Sequence, residues 1–235
     1  MKTGMTEKIN QITPLKIQLF IATAAALLFI PFLGGVHLFD WDEINFAEAA
    51  REMIVTGDYL TVQINFQPFW EKPPLFIWMQ VLSMKLFGIN EFAARFPNAI
   101  CGIVTLVVLF SIGRKTKNNL FGLLWVLAYA GSVLPFFYFK SGIIDPWFNL
   151  FIFLGVYFLM LYADPKDGNK IRNVSLSAAF AGFAILTKGP VGFLLVALTG
   201  GVFLIWEKFK VKVRVQDVLI YFLVLALVGG SWFIL

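Results

Sequence analysis

A single cysteine, a single histidine and a 14% share of charged residues leave this 235-residue chain few polar groups with which to do chemistry. Cys101 lies alone inside an apolar run, so there is no disulfide framework and the redox compartment is not encoded in the cysteines. His37 is equally alone, which removes His-cluster zinc sites. No Gly-rich phosphate-cradling loop of the P-loop type is present, which argues against a nucleotide-fuelled pump. No G-x-S-x-G serine nucleophile motif is present either. The first apolar run, Leu15–Val36, is too long for a signal-peptide core and no small-residue cleavage site follows it. Internal repeats, low-complexity tracts and flexible linkers are also missing.

What the chain has in quantity is apolar surface. Hydrophobic residues make up 59% of it and mean hydropathy is +0.80, whereas soluble domains run at about 45–50% apolar and about 25% charged. Seven Trp and 27 Phe suit lipid contact and interfacial belts. A membrane span needs about 20 mainly apolar residues. Runs of that kind lie at Leu15–Val36, Phe92–Gly113, Leu120–Phe139 and Ile143–Ala163, with shorter ones at Asn173–Lys188, Val191–Trp206 and Val218–Leu235. The expectation is an all-α polytopic membrane protein of about seven transmembrane helices. Its last run ends without a polar tail, which predicts that a complete protein continues beyond it.

The charges set an expected topology. The net charge of +5 is no nucleic-acid signature, because the basic residues gather at the ends of apolar runs. If Pro74–Gly88 does not cross, one side collects 13 of the 19 basic residues, from Lys2, Lys8 and Lys16 through Arg114, Lys115, Lys117, Lys166, Lys170 and Arg172 to Lys208, Lys210, Lys212 and Arg214. The other side receives nine of the 14 acids: Asp40, Asp42, Glu43, Glu48, Glu52, Asp58, Glu71, Glu91 and Asp145. A crossing there would destroy that bias, and the stretch is short, opens with Pro73-Pro74 and carries Gln80, Ser83 and Lys85. It is therefore expected to lie in the interface. By the positive-inside rule, residues 1–14 form a cytoplasmic tail, 37–91 an outer loop with interfacial helices, and 92–235 the remaining spans.

Acids concentrate in that outer loop. Residues from Asp42 to Thr56 favour a helix, with Gly57 a good C′ residue. Asp40 as N-cap and Glu43 at N3 would close a capping box, and Asp42 would then merely complement the helix dipole. Further along, Phe69-Trp70-Glu71-Lys72-Pro73-Pro74 sets an acid and a base among aromatics. Asp145 precedes Pro146, as a good N-cap does. Lys188 stands in a Thr187-Lys188-Gly189-Pro190 turn, where it can simply snorkel to headgroups. Each has a local explanation, yet all converge on one interface, where ionisable groups are functional candidates. A carboxylate can accept a proton from an acceptor hydroxyl, and lysines can neutralise a phosphate leaving group. Trp41, Phe69 and Trp70 can pack on a sugar or a polyprenyl chain.

In order along the chain stand Asp42-Glu43, Phe46-Ala47-Glu48, Arg51-Glu52-Met53, Gly57-Asp58, Glu71-Lys72-Pro73-Pro74, Ala94-Arg95-Phe96, Asp145-Pro146 and Leu186-Thr187-Lys188-Gly189. This ordered set resembles the GT-C glycosyltransferases, in the group that contains lipid A aminoarabinose transferases and protein O-mannosyltransferases. The resemblance implies the N-terminal catalytic module of an inverting transferase in the cytoplasmic (inner) membrane. It would move a sugar from a polyprenyl-phosphate donor to a lipid, glycan or protein acceptor on the outer face. It further implies Asp42, Glu43 and Asp145 as catalytic residues, Lys72, Lys188 and Arg51 as donor-phosphate ligands, and Glu71, Trp41 and Trp70 as substrate contacts. No cofactor or metal is implied for the chemistry, although Glu71 can ligate one with a remote ligand beyond this chain. Asn45-Phe46 replaces the Arg-Tyr that follows Asp-Glu-x in aminoarabinose transferases, which leaves the acceptor open. A transporter should carry its ionisable groups near the midplane, where these runs are nearly free of charge. A non-catalytic membrane scaffold would need none of the ordered motifs.

Overall fold

A computed structural model describes residues 4–165 and 168–233. Lys2 and Lys166 of the charge pattern, and the last two residues of the final apolar run, lie outside them. The chain is helical almost throughout, with eleven α-helices among the described residues. It divides into two compact units, Met1–Ala47 with Gln80–Pro146, and Glu48–Met79 with Trp147–Leu235.

In the first unit, α1 (Gly4–Gln11) leads into α2 (Pro14–Phe29), which Pro14 opens at the first helical position. Ile17, Ile21, Ala25 and Phe29 recur every four residues on its buried stripe, and α2 packs against α5 (Glu91–Thr116). The apolar run continues to Val36, but the helix does not. Pro31 donates no N–H and its ring crowds the carbonyl four residues back, and Phe32 turns to φ +63°. Asn90 caps α5 by accepting the Ala93 N–H at 2.9 Å. The start of α6 (Asn119–Ala130) packs on the end of α5 through glycines: a Cβ on Gly113 would stand 2.9 Å from Gly122 Cα. The stretch Leu120–Phe139, expected as one span, is broken. After Gly131 the chain bends by 75° into α7 (Val133–Phe139), where Pro135 cannot continue an α6 hydrogen-bond ladder.

The second unit begins inside α3 (Asp42–Thr56), includes the first residues of α4 (Leu75–Phe87), and takes most of α8 (Asp145–Ala163). It closes with α9 (Lys170–Lys188), α10 (Val191–Trp206) and α11 (Val215–Gly229). Small residues let these last helices approach. A Cβ on Gly182 would meet Val228 Cβ at 2.8 Å and Gly229 N at 2.9 Å, and one on Gly192 would meet Ala184 Cβ at 2.7 Å. Such small-residue seams are the packing mode of helices in lipid. Ala178, Ala181, Val196 and Leu225 form one core; Phe148, Phe151 and Ala184 form another, with Phe180 and Phe183 against it. The only non-helical pairing among the described residues is a two-residue ladder, β1 (Gln63–Ile64) with β2 (Gln67–Pro68). Asn65 and Phe66 between them both have positive φ, +55° and +57°, the signature of a type I′ hairpin turn.

By length and composition α5 and α8 are long and apolar enough to cross a membrane, and the bent α6–α7 pair makes a third candidate. The apolar helices α2, α4, α10 and α11 are shorter. The protein is an all-α polytopic membrane protein, in which several of the seven expected runs appear as short or broken helices. At 13 residues α4 reaches about 20 Å, short of a bilayer core of about 30 Å.

Candidate functional site

In the first unit, everything is arranged around Glu43. This residue and Arg95 are each 1% exposed. Arg95 Nε donates to Glu43 Oε1 and its Nη2 to Glu43 Oε2, both at 2.8 Å. The remaining Arg95 donors reach the carbonyls of Leu33, Val36 and His37 at 2.7–2.9 Å. Glu43 also accepts the Phe39 N–H at 2.7 Å and the Gly142 N–H. A buried ion pair is favourable only when its leftover donors and lone pairs are satisfied in this way.

Two sequence expectations change as a result. The capping box does not form, because Glu43 turns inward to Arg95 rather than back to Asp40. Trp41 stands at the N-cap position instead, accepting from Asn45 N at 3.0 Å, while Asp40 Oδ1 takes the Trp41 N–H at 2.9 Å. Glu43 was also a catalytic candidate. Both of its oxygens are doubly engaged and the side chain is buried, so in this arrangement it holds the backbone.

What it holds are the segments of two other acids. Asp42 opens α3 and is exposed, and among the described residues its carboxylate has no side-chain hydrogen bond. Trp41 beside it has φ +72°, an unfavourable region for a bulky residue that costs about 1–3 kcal/mol and persists only where the surroundings impose it. Its indole is 77% exposed. The second acid, half-buried Asp145, opens α8. The strand of chain before it is hung from Glu43 through Gly142 and from Asn98, whose Nδ2 donates to Ser141 O at 2.6 Å and to Ile143 O at 2.7 Å. Gly142 leaves no room for a side chain, since a Cβ would stand 3.2 Å from Ala94 O and from Glu43 Cγ. One buried carboxylate thus ties the Asp42 segment to the Asp145 segment.

The second unit carries the other candidates. Arg51 is bound to Glu48 through Nε at 2.8 Å and Nη2 at 2.6 Å, and lies 5.9 Å from the Phe66 ring centroid. That hydrogen bond holds the Glu48 carboxyl below, and the Arg51 guanidinium above, their ordinary ranges. Buried Glu52 accepts the Phe66 N–H at 2.8 Å through Oε2, anchoring the hairpin that leads to Trp70, Glu71 and Lys72. Two indoles pin the preceding loop, Trp78 on Tyr59 O and Trp232 on Leu60 O, each at 2.7 Å. Trp70 is exposed and lies 6.0 Å from the Trp232 ring; Glu71 is exposed and Lys72 half-buried. Lys188 ends α9, where Gly189 at φ +86° returns its N–H to Ile185 O at 2.7 Å. Its ammonium lies 5.5 Å from the Phe148 ring centroid. Among the described residues no three of His, Cys, Asp or Glu gather as a metal ligand set.

Sequence reasoning placed Arg95 and Glu52 within its motifs but gave them no role, and it passed over Asn98. An arginine and an asparagine inside the apolar run Phe92–Gly113 were the available signal, since such groups need partners in lipid.

A family model described as dolichyl-phosphate-mannose-protein mannosyltransferase matches residues 71–233. The chain belongs to that family. It is 28% identical over its whole length to an undecaprenyl phosphate-alpha-4-amino-4-deoxy-L-arabinose arabinosyl transferase of Proteus mirabilis, covering 42% of that protein. It is 27% identical to the enzyme of the same name from Shewanella sediminis, with 77% of this chain aligned to 34% of that one. An uncharacterized protein of Aquifex aeolicus is 29% identical over 94% of the chain and 49% of its own length. The chain therefore spans half or less of the relatives it matches. The fold agrees with the crystal structure of ArnT from Cupriavidus metallidurans bound to undecaprenyl phosphate, with a TM-score of 0.76 at 23% identity, over 92% of this chain and 40% of that one.

Proposed function

We propose that this chain is the N-terminal catalytic module of an inverting glycosyltransferase that takes its sugar from a polyprenyl-phosphate donor. The observation that carries the reading is the saturated Glu43–Arg95 pair, which commits buried charge to fixing the segments of Asp42 and Asp145. Membership of the mannosyltransferase family and the arabinosyl transferase relatives support the reaction class.

In this reading Asp42 takes the proton of the acceptor hydroxyl as its oxygen attacks the anomeric carbon. The bond from that carbon to the phosphate oxygen breaks, and the phosphate leaves with the electron pair. Lys72 and Lys188 meet the growing negative charge on the phosphate; Arg51, already paired with Glu48, serves it only by exchanging partners. Asp145 orients the acceptor, and Trp41 and Trp70 offer exposed aromatic faces to sugar or isoprenoid. The catalytic loop faces outward and the N-terminus lies in the cytoplasm, as the charge asymmetry favours.

The test uses the full-length protein. Asp42→Asn keeps shape and removes the base, so turnover with a radiolabelled polyprenyl-phosphate sugar should fall by about 100- to 10,000-fold, with thermal stability retained. Near-native turnover in that variant would show that Asp42 only complements the helix dipole. Lys72→Ala should instead weaken donor binding.

A further inference from the structure

Beyond Asp42 and Asp145 in sequence, the second unit forms an open cavity of about 210 Å³. Its wall is apolar, with Leu159, Phe203, Val211, Val213, Val218 and Phe222 contributing side chains. The polar groups that border it are already engaged. Tyr162 Oη donates to Asp217 Oδ2 at 2.8 Å, and Arg214 donates to both Asp217 oxygens at 2.9 Å. A cavity with apolar walls and satisfied polar neighbours holds hydrocarbon in preference to water.

The rim has the opposite character. Between α10 and α11 the chain reads Lys208-Phe209-Lys210-Val211-Lys212-Val213-Arg214. Lys208 and Phe209 turn with φ +52° and +57°, and from Lys210 the chain runs on without helix to Arg214. Val211 and Val213 line the cavity, and Lys210 and Lys212 beside them are exposed. Lys210 and Lys212 have no carboxylate partner among the described residues. Trp206 and Phe209, 80% and 71% exposed, flank the same turn as anchors at headgroup depth. Apolar space beneath exposed cations matches an anionic lipid: chain below, phosphate above.

We propose that this end of the second unit binds one anionic glycerophospholipid, with an acyl chain entering the cavity and the headgroup phosphate held by Lys210 and Lys212. The site is independent of sugar transfer. It fixes the α10–α11 turn at the membrane surface.

Purified full chain is titrated with dioleoylphosphatidylglycerol, dioleoylphosphatidylcholine and undecaprenyl phosphate, and bound lipid is counted by native mass spectrometry. The glycerol lipid should bind with one tight stoichiometric site and at least about tenfold preference over its choline counterpart. Lys210→Ser with Lys212→Ser, both on the surface, should remove that preference. Ala163 also lines the cavity, and Ala163→Phe, or Val211→Phe if the first fails to fold, should fill it and weaken both glycerophospholipids together. Equal binding of the two glycerophospholipids by the native chain overturns the proposal. So does a lysine pair that changes nothing, or a filled cavity that binds as before. Undecaprenyl phosphate losing as much affinity as phosphatidylglycerol in both variants would make this a polyprenyl site and overturn it as well.

Discussion

The two units put different weight on two means of order in an apolar medium, although the first also has its glycine contact at Gly113 and Gly122 and the second also buries Glu52 and Asp217. The first aims buried charge and amide donors at defined acceptors: Glu43 with Arg95, Asn98 on Ser141 and Ile143, Gln80 on Ala94 O at 2.9 Å. The second, in α8 to α11, uses alanine and glycine seams and stacked rings such as Phe158 on Phe180 at 5.7 Å. Hydrogen bonds of a buried network are directional and all-or-none, whereas a small-residue seam tolerates sliding but not added volume. The unit that carries Asp42 and Asp145 is thus the one whose backbone is set by direction.

That contrast can be broken most forcefully at Arg95. Arg95→Leu leaves Glu43 buried and alone, and should lower stability by about 3–5 kcal/mol or prevent accumulation of folded protein. Adding Glu43→Met should recover a large part of it, since paired apolar replacements of buried ions are often tolerated. Thermal unfolding in detergent reads both, and a double variant no better than the single one would mean that the pair contributes through its backbone contacts alone. A smaller effect is expected from Gly182→Ala in the second unit, about 1–3 kcal/mol, because the new Cβ meets the α11 backbone. Retention of native stability there would refute the close-seam description. The smallest effect is acid sensitivity at the loop joining α3 to β1. Asp58 accepts from Thr61 N at 3.1 Å and Leu60 N at 3.0 Å, and those bonds hold its carboxyl below the usual range. A carboxyl lowered on folding contributes stability above its unfolded value of about 3.8 and loses it as pH falls further, through the lowered folded value. Asp58→Asn should lower the unfolding midpoint modestly at about pH 7, where the ionised carboxyl contributes, and differ little from the native chain near about pH 3, so that the fall between the two is flattened.

Much of this was legible beforehand, and the rest was not for definite reasons. Local pattern was enough for the helix at 42–56, ending before Gly57, and for Asp145 and Lys188 at helix ends. Helix breaks at Pro31 and Pro135 were written in the sequence but were masked by unbroken hydropathy, which weighs side chains and ignores the missing N–H. The capping-box pattern at Asp40 and Glu43 was a correct local reading overridden by a partner 52 residues away. No periodicity announces such a contact. The motif Ala94-Arg95-Phe96 contained Arg95, but only the fold shows which acid it neutralises.

The Glu43 cluster also dictates an order of events during biogenesis. Glu43 draws donors from Phe39, Arg95 and Gly142, so the last of its partners follows it by 99 residues. Until the start of α5 has left the ribosome this carboxylate has no arginine, and until Gly142 follows, the segment containing Asp42 is not fully fixed. Contacts so distant in sequence close late. The acid-bearing segment therefore becomes rigid only after α5 to α7 have been inserted, and a chain arrested before Gly142 would carry Asp42 without the means to aim it.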